Sequence, residues 1–280
     1  MLIAGVVVLY NPDPIVIQNI QSYLPFLYVL YVIDNSESPN MNIVEQLREL
    51  GEKIKYIALG ENRGVAYALN LGATLAIESG ADWLLTMDQD SSFEGDSASK
   101  LVEYCESLED ERVAIVTALH VDSDIVVYKK EKKLFPHIAM TSGSMVNLRN
   151  YEKIGPFRDE FFIDFVDTEY CLRAKRNDLT VLTLKDVVLQ HKVGKPKKVL
   201  FFTTTNHPPI RRYYITRNRI AVWREYYSVD PDYVKYDMAC FVKETVKILL
   251  GEDRKLEKMR MIMKGIADCL RGKFGKLPKI

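Results

Sequence analysis

The sequence predicts an α/β fold: a mostly parallel central sheet flanked by helices, with a helical C-terminal extension. Three observations carry this expectation. Short apolar runs alternate with stretches of helical spacing, each run ends in polar and turn residues, and the texture changes after His191. The 280 residues are 48% hydrophobic and 27% charged, with 38 basic against 38 acidic side chains, which is ample for a large core. Such a composition excludes a disordered chain, a collagen-like repeat and a basic nucleic-acid arm, so no nucleic-acid partner is expected.

The first run, Leu2 to Leu9, is continuously apolar and stops at Asn11-Pro12-Asp13-Pro14, as a strand buried on both faces does before a turn. Similar runs follow at Tyr28 to Ile33, Ile54 to Leu59, Trp83 to Met87 and Val113 to Thr117. Helical stretches lie between them, around Ile15 to Leu24, Ile43 to Leu50, Val65 to Ser79 and Ala98 to Leu108. The clearest places Val65, Leu69, Gly72, Ala73 and Ala76 on one close-packing face, with Asn62 near its start and Gly80 past its end. No run of about 18 apolar residues occurs. The opening also lacks the features of a secretory leader, and a cytoplasmic protein is expected. Cys105, Cys171, Cys240 and Cys269 show neither zinc-knuckle spacing nor a disulfide framework, so reduced thiols are expected.

The zero net charge conceals an asymmetry. Residues 1–191 carry 17 Lys and Arg against 29 Asp and Glu, whereas residues 192–280 carry 21 against 9. The boundary between a core domain and a basic extension is therefore placed at 191/192.

In a parallel sheet, ligands bind beyond the carboxyl ends of the strands. Here those ends read Tyr10-Asn11-Pro12-Asp13, Asp34-Asn35-Ser36, Glu61-Asn62-Arg63-Gly64 and Asp88-Gln89-Asp90. Asp88 and Asp90, two residues apart in an extended segment, can both approach one divalent cation, and hard oxygen ligands favour Mg²⁺ or Mn²⁺ shared with phosphates. Asn62-Arg63-Gly64 opens a helix whose free N–H groups suit a diphosphate, with Arg63 as an added cation. It is neither a Walker loop nor a dinucleotide fingerprint. Further on, Asp164 and Asp167 stand among apolar neighbours that can raise a carboxyl into the range of a general base. His191 follows the strand-like Val187 to Leu189 and is a candidate third metal ligand; His120, His137 and His207 have no readable partner spacing.

Together these segments resemble the family 2 inverting glycosyltransferases of the GT-A fold, and among them the rhamnosyltransferase-like branch. The resemblance runs through VVLYNPD (residues 7–13), IDNS (33–36), ENRGVAYALN (61–70), LLTMDQD (84–90), TSGS (141–144), GPFRDEFFIDFVDTEYCLR (155–173), His191 with Gly194, and RRYYITRNR (211–219). It implies that residues 1–191 bind a nucleotide-sugar donor and carry catalysis. Pro12 and Asp13 would hold the nucleoside, Asp34 would read the pyrimidine, and Asn62, Arg63 and Gly64 would frame the nucleotide. Asp88, Gln89 and Asp90 would serve ribose and an Mg²⁺ or Mn²⁺ ion. Asp167 would be the catalytic base, with Asp164 as its rival because Val166 stands where the family commonly has Glu. Arg212, Tyr213 and Arg217 would close over donor phosphates or the acceptor. The donor implied is dTDP-rhamnose, with UDP-hexoses open, and the acceptor a saccharide or lipid-linked saccharide of cell-surface polysaccharide synthesis.

Two other readings are weaker. A sugar nucleotidyltransferase needs a basic Gly-rich loop after the first strand, where this chain has Tyr10-Asn11-Pro12-Asp13-Pro14. A non-catalytic relative would be expected to lack Asp90 or Asp167, and both are present. In the extension, Leu256, Met259, Met263, Ile266 and Leu270 recur at helical spacing among Lys and Arg. Such a helix suits peripheral contact with an anionic membrane, or packing on the core or across a homodimer interface.

Overall fold

The computed structural model describes residues 1–121, 135–191, 197–199 and 202–278. An eight-stranded sheet has the order β3-β2-β1-β4-β7-β6-β8-β5. Its strands are β1 (Ile3–Leu9), β2 (Val29–Asp34), β3 (Ile54–Ala58), β4 (Trp83–Asp88), β5 (Ser91–Phe93), β6 (Val113–Val121), β7 (Ser144–Asn147) and β8 (Thr180–His191). The expected parallel unit is the β3-β2-β1-β4 half. Beyond it the sheet is mixed: β7 runs antiparallel to β4 and β6, β8 is parallel to β6, and β5 is antiparallel to β8.

β1 is central, and every one of its residues is buried. Ala4, Val6 and Val8 enter one core, whereas Ile3, Val7 and Leu9 enter the other. Helices α1 (Ile15–Gln21), α2 (Met41–Glu49) and α4 (Ser97–Glu106) cover the second face, and α3 (Val65–Glu78) covers the first. On α3, Leu69, Gly72, Ala73 and Ala76 are buried as their spacing predicts. Gly72 lies so close to β1 that a Cβ there would meet Val6 at 2.4 Å.

Beyond β7 come α5 (Leu148–Ile154) and α6 (Val166–Arg176). The extension consists of a short hairpin, β9 (Lys197–Val199) with β10 (Phe202–Thr204), and helices α7 (Pro209–Tyr226), α8 (Pro231–Gly251) and α9 (Lys255–Leu270). α7 is buried almost throughout, and ion pairs join the extension to the core: Arg158 and Arg176 to Glu225, and Lys175 to Asp230. On α9, Ile262, Gly265 and Cys269 pack inward, while Leu256, Met263 and Leu270 of the expected apolar row are exposed. None of the four cysteines forms a disulfide among the described residues.

Candidate active site

Because β1 to β4 are parallel, their carboxyl ends open on one edge, and the polar residues there are tied to one another. Asn11 N donates to Ser36 Oγ (2.8 Å), and Gln89 pairs with both backbone groups of Tyr10 (2.8 and 3.2 Å). Asn35 Nδ2 donates to the Gly64 carbonyl (3.1 Å), and Asn35 Oδ1 accepts from Arg63 N (3.1 Å). The ends of β1, β2, β4 and the loop before α3 are thus one hydrogen-bonded rim.

Asp34 is buried at the end of β2. Its oxygens accept from Ser36 N (2.8 Å) and the Tyr56 hydroxyl (2.6 Å), a partner the sequence did not suggest. Pro12 is buried and Asp13 exposed, with Asp13 Oδ1 accepting from Ile15 N at the start of α1. Asn62 Oδ1 accepts from Gly64 N (3.0 Å) and closes the turn into α3. Arg63 is exposed, with its guanidinium 3.6 Å above the Tyr67 ring and donating to the Tyr67 hydroxyl. Gly64 has φ 93°, and a Cβ there would lie 2.5 Å from the Phe162 carbonyl oxygen. Its lack of a side chain lets Val65 N bond that carbonyl at 2.7 Å, joining the strand-end rim to the loop that carries Asp164 and Asp167.

Asp88 and Asp90 are half-buried at the end of β4. The 141–144 segment supports them: Asp88 N donates to Ser142 Oγ (3.1 Å), Gly143 N to Thr86 O (2.9 Å), and the buried His120 Nε2 lies 2.7 Å from Ser142 O. His191 ends β8 opposite Ser91, which brings its backbone to the strand beside Asp90. Its side chain, and Gly194, lie outside the described residues. Among the described residues no group of three or more His, Cys, Asp or Glu converges as a metal site. Two carboxylates at a strand end nevertheless fit Mg²⁺ or Mn²⁺, which take one or two protein carboxylates and complete their shell with water and substrate phosphates.

The two acids before and within α6 are distinguished by their surroundings. Asp164 is held by Arg211, whose guanidinium donates to both carboxylate oxygens at 3.0–3.2 Å. Among the described residues Asp167 has no such cation, and it accepts from Thr168 N (2.7 Å). It shares a small cavity with Thr86, Met140, Thr141, Phe157 and Tyr170, and burial in this setting pushes its carboxyl up to about 6, with nearby Asp164 adding to the rise. A carboxyl raised in this way can exchange a proton near neutral pH, and it lines the same cavity as Thr86 of β4.

Phe162, Asp164 and Phe165 all have positive φ (67°, 63° and 63°), a conformation costing of order 1 kcal/mol or more per side chain. α7 holds the loop in it. Asn218 Nδ2 donates to the carbonyls of Phe161, Ile163 and Asp164 (2.9–3.0 Å). Arg217, wholly buried, donates to the carbonyls of Glu160, Phe161 and Gly275 and to Asn218 Oδ1. The segment expected to close over substrate thus has interior partners in this structure. Arg212 pairs with Glu252 (2.8 Å), and the Tyr213 hydroxyl with Asp268 (3.0 Å). Arg211 and Asn218 lie in the segment that the sequence reading placed over the substrate, and in the structure they hold the loop that carries Asp164. The sequence signal was the RRYYITRNR segment itself, whose polar side chains turn out to be largely buried on one helix.

A glycosyl transferase family 2 model matches residues 6–173, a span that includes the strand-end rim, the Asp88–Asp90 pair and Asp167. The chain is also similar to a dTDP-rhamnosyl transferase, RfbF, of Shigella flexneri: 28% identical over 98% of this chain and 97% of that protein. Among solved structures it superposes on residues 1–349 of TarS from S. aureus in complex with UDP-GlcNAc, with a TM-score of 0.65 over 97% of this chain and 81% of that one at 13% identity. Against a longer TarS structure the TM-score is 0.54, and the chain spans 43% of that protein. The expected fold is thereby met, and with the matched span covering the whole rim and the loop of Asp164 and Asp167, the chain belongs to glycosyl transferase family 2.

Proposed function

We propose that this glycosyltransferase moves L-rhamnose from dTDP-rhamnose to an acceptor hydroxyl with inversion at the anomeric carbon, in cell-surface polysaccharide synthesis on the cytoplasmic side. The observation that carries the donor assignment is the near full-length similarity to a dTDP-rhamnosyl transferase. In this reading the Asp167 carboxylate accepts the acceptor's hydroxyl proton while that oxygen attacks the anomeric carbon. The bond to the donor phosphate breaks, and the nucleoside diphosphate leaves with the electron pair. Asp164, neutralised by Arg211, orients the loop and takes no proton. Pro12, Asp13 and Asp34 form the nucleoside end of the site, and Asn62 to Gly64 the phosphate rim, where exposed Arg63 offers a cation. Gln89 braces the ends of β1 and β4, and Arg212, Tyr213 and Arg217 support the base loop from behind. Asp88 and Asp90 would hold a divalent cation, which supplies charge neutralisation at the leaving diphosphate. The acceptor in this reading is a saccharide or lipid-linked saccharide.

Calorimetric titration with dTDP and UDP, each with Mn²⁺, Mg²⁺ or EDTA, tests the donor. Metal-dependent binding that favours dTDP is expected. Preference for UDP would replace rhamnose by a UDP-hexose, and binding of neither would remove the nucleotide assignment. Asp90→Ala is expected to weaken dTDP binding in Mn²⁺ by about tenfold or more, and to leave the residual binding in EDTA unchanged.

A further inference from the structure

α8 is amphipathic in the reverse sense from a helix on a water-facing surface. Its inward face carries charge: Asp237 accepts from Arg219 (3.0 Å) and from Trp223 Nε1 (2.7 Å), and Glu244 accepts from Arg219 (3.0 Å). Its outward face is apolar. Val242, Val246, Leu249 and Leu250 are 62%, 47%, 48% and 66% exposed. From residue 235 to residue 250 the residues that are exposed as a whole are apolar or lysine, the lysines being Lys235 and Lys243, while Glu244 turns toward Arg219 with its side chain 38% exposed and Asp232 stands exposed one turn earlier. Core packing does not account for this stripe, because the core-facing side of the same helix is already filled by Tyr233, Val234, Asp237 and Ile248.

We propose that the outward face of α8 is a docking surface for an anionic lipid leaflet, with the helix lying in the interface plane. Charge selects this occupant. A two-fold pairing with a second copy would set the same lysine-bearing stripe against itself, like charge near like charge, whereas acidic headgroups complement it. The apolar side chains reach the acyl boundary, and the long lysine stems let the ammonium groups stay at headgroup level. No described helix is long and apolar enough to cross a membrane, so the contact is one of lying on the surface. The proposal is independent of donor identity, and its test reads no turnover.

The test is co-sedimentation of the full chain with phosphatidylcholine vesicles, with and without phosphatidylglycerol. Binding is expected only when phosphatidylglycerol is present and is expected to weaken as salt rises. Lys235→Glu with Lys243→Glu should weaken it by about fivefold or more per lysine replaced. Val242→Glu with Val246→Glu should abolish it, with an unchanged unfolding transition because both side chains point outward. Failure to bind phosphatidylglycerol vesicles, or undiminished binding by both double variants, would overturn the proposal. So would a dimer in light scattering that the valine variant dissociates while vesicles recover no protein, an outcome that assigns the stripe to a second copy.

Discussion

Asp167→Asn is expected to lower kcat by roughly a thousandfold, the usual contribution of a positioned base, while donor binding stays near the parent value. The same substitution is expected to stabilise the protein at neutral pH. Asp167 titrates near 6 in the folded chain against an ordinary 3.8, so the folded state holds its proton more tightly than the unfolded one. Stability therefore falls as pH rises from about 4 to about 6 and stays lowered above that range. Asn removes this penalty, about 1–2 kcal/mol after allowance for partial solvent access, and the gain should vanish below about pH 4. Melting scans at pH 4 and pH 7 measure it, and the parent's kcat/KM should rise through pH 6 as the carboxyl deprotonates. A variant equally stable at both pH values, or normally active, would remove Asp167 from the role of base.

The second large effect is expected at Asn218, which touches no reacting atom. Asn218→Leu keeps the branched heavy-atom skeleton and removes the amide that three loop carbonyls share. Leaving those acceptors without their donor should cost about 2–4 kcal/mol in denaturant unfolding. Turnover should fall more than the loss of folded protein explains, because the strained 162–165 backbone can then relax. The pH profile separates positioning from mere destabilisation. If the loop relaxes, Asp167 gains solvent and the acid limb of kcat/KM moves below 6, towards the ordinary carboxylate range. An unshifted limb in the folded fraction would show that Asn218 does not position the base.

Much of the fold was legible because its strands obey a simple rule: runs such as Ile3–Leu9 and Trp83–Asp88 are short, apolar and closed by turn residues. The antiparallel entry of β7 was not legible. Ser144–Asn147 is four residues long and begins on a serine, so its pairing with β4 comes from the tertiary fold and not from periodicity. Asp167 was preferred to Asp164 from the sequence, but the Arg211 partner that distinguishes the surroundings of Asp164 stands 47 residues away and was not legible. The same distance hid the role of RRYYITRNR. A dense row of cations resembles a phosphate site when its partners are unknown, and here the carbonyls of Glu160, Phe161 and Gly275 are what Arg217 meets. The charge asymmetry was visible, yet part of it is spent in the interior, where Lys258 and Arg212 converge on Glu252.

The 161–165 loop owes its shape to α7, more than fifty residues further along the chain, while the strand-end rim rests on the parallel half of the sheet. Under the proposed assignment, donor binding and proton abstraction would therefore rest mainly on different parts of one molecule, which the Val65 N to Phe162 O bond joins. Under mild heat or denaturant, partial detachment of the extension would leave an enzyme that still captures its nucleotide and no longer turns it over. The temperature of half-inactivation would then lie below the temperature at which the sheet melts.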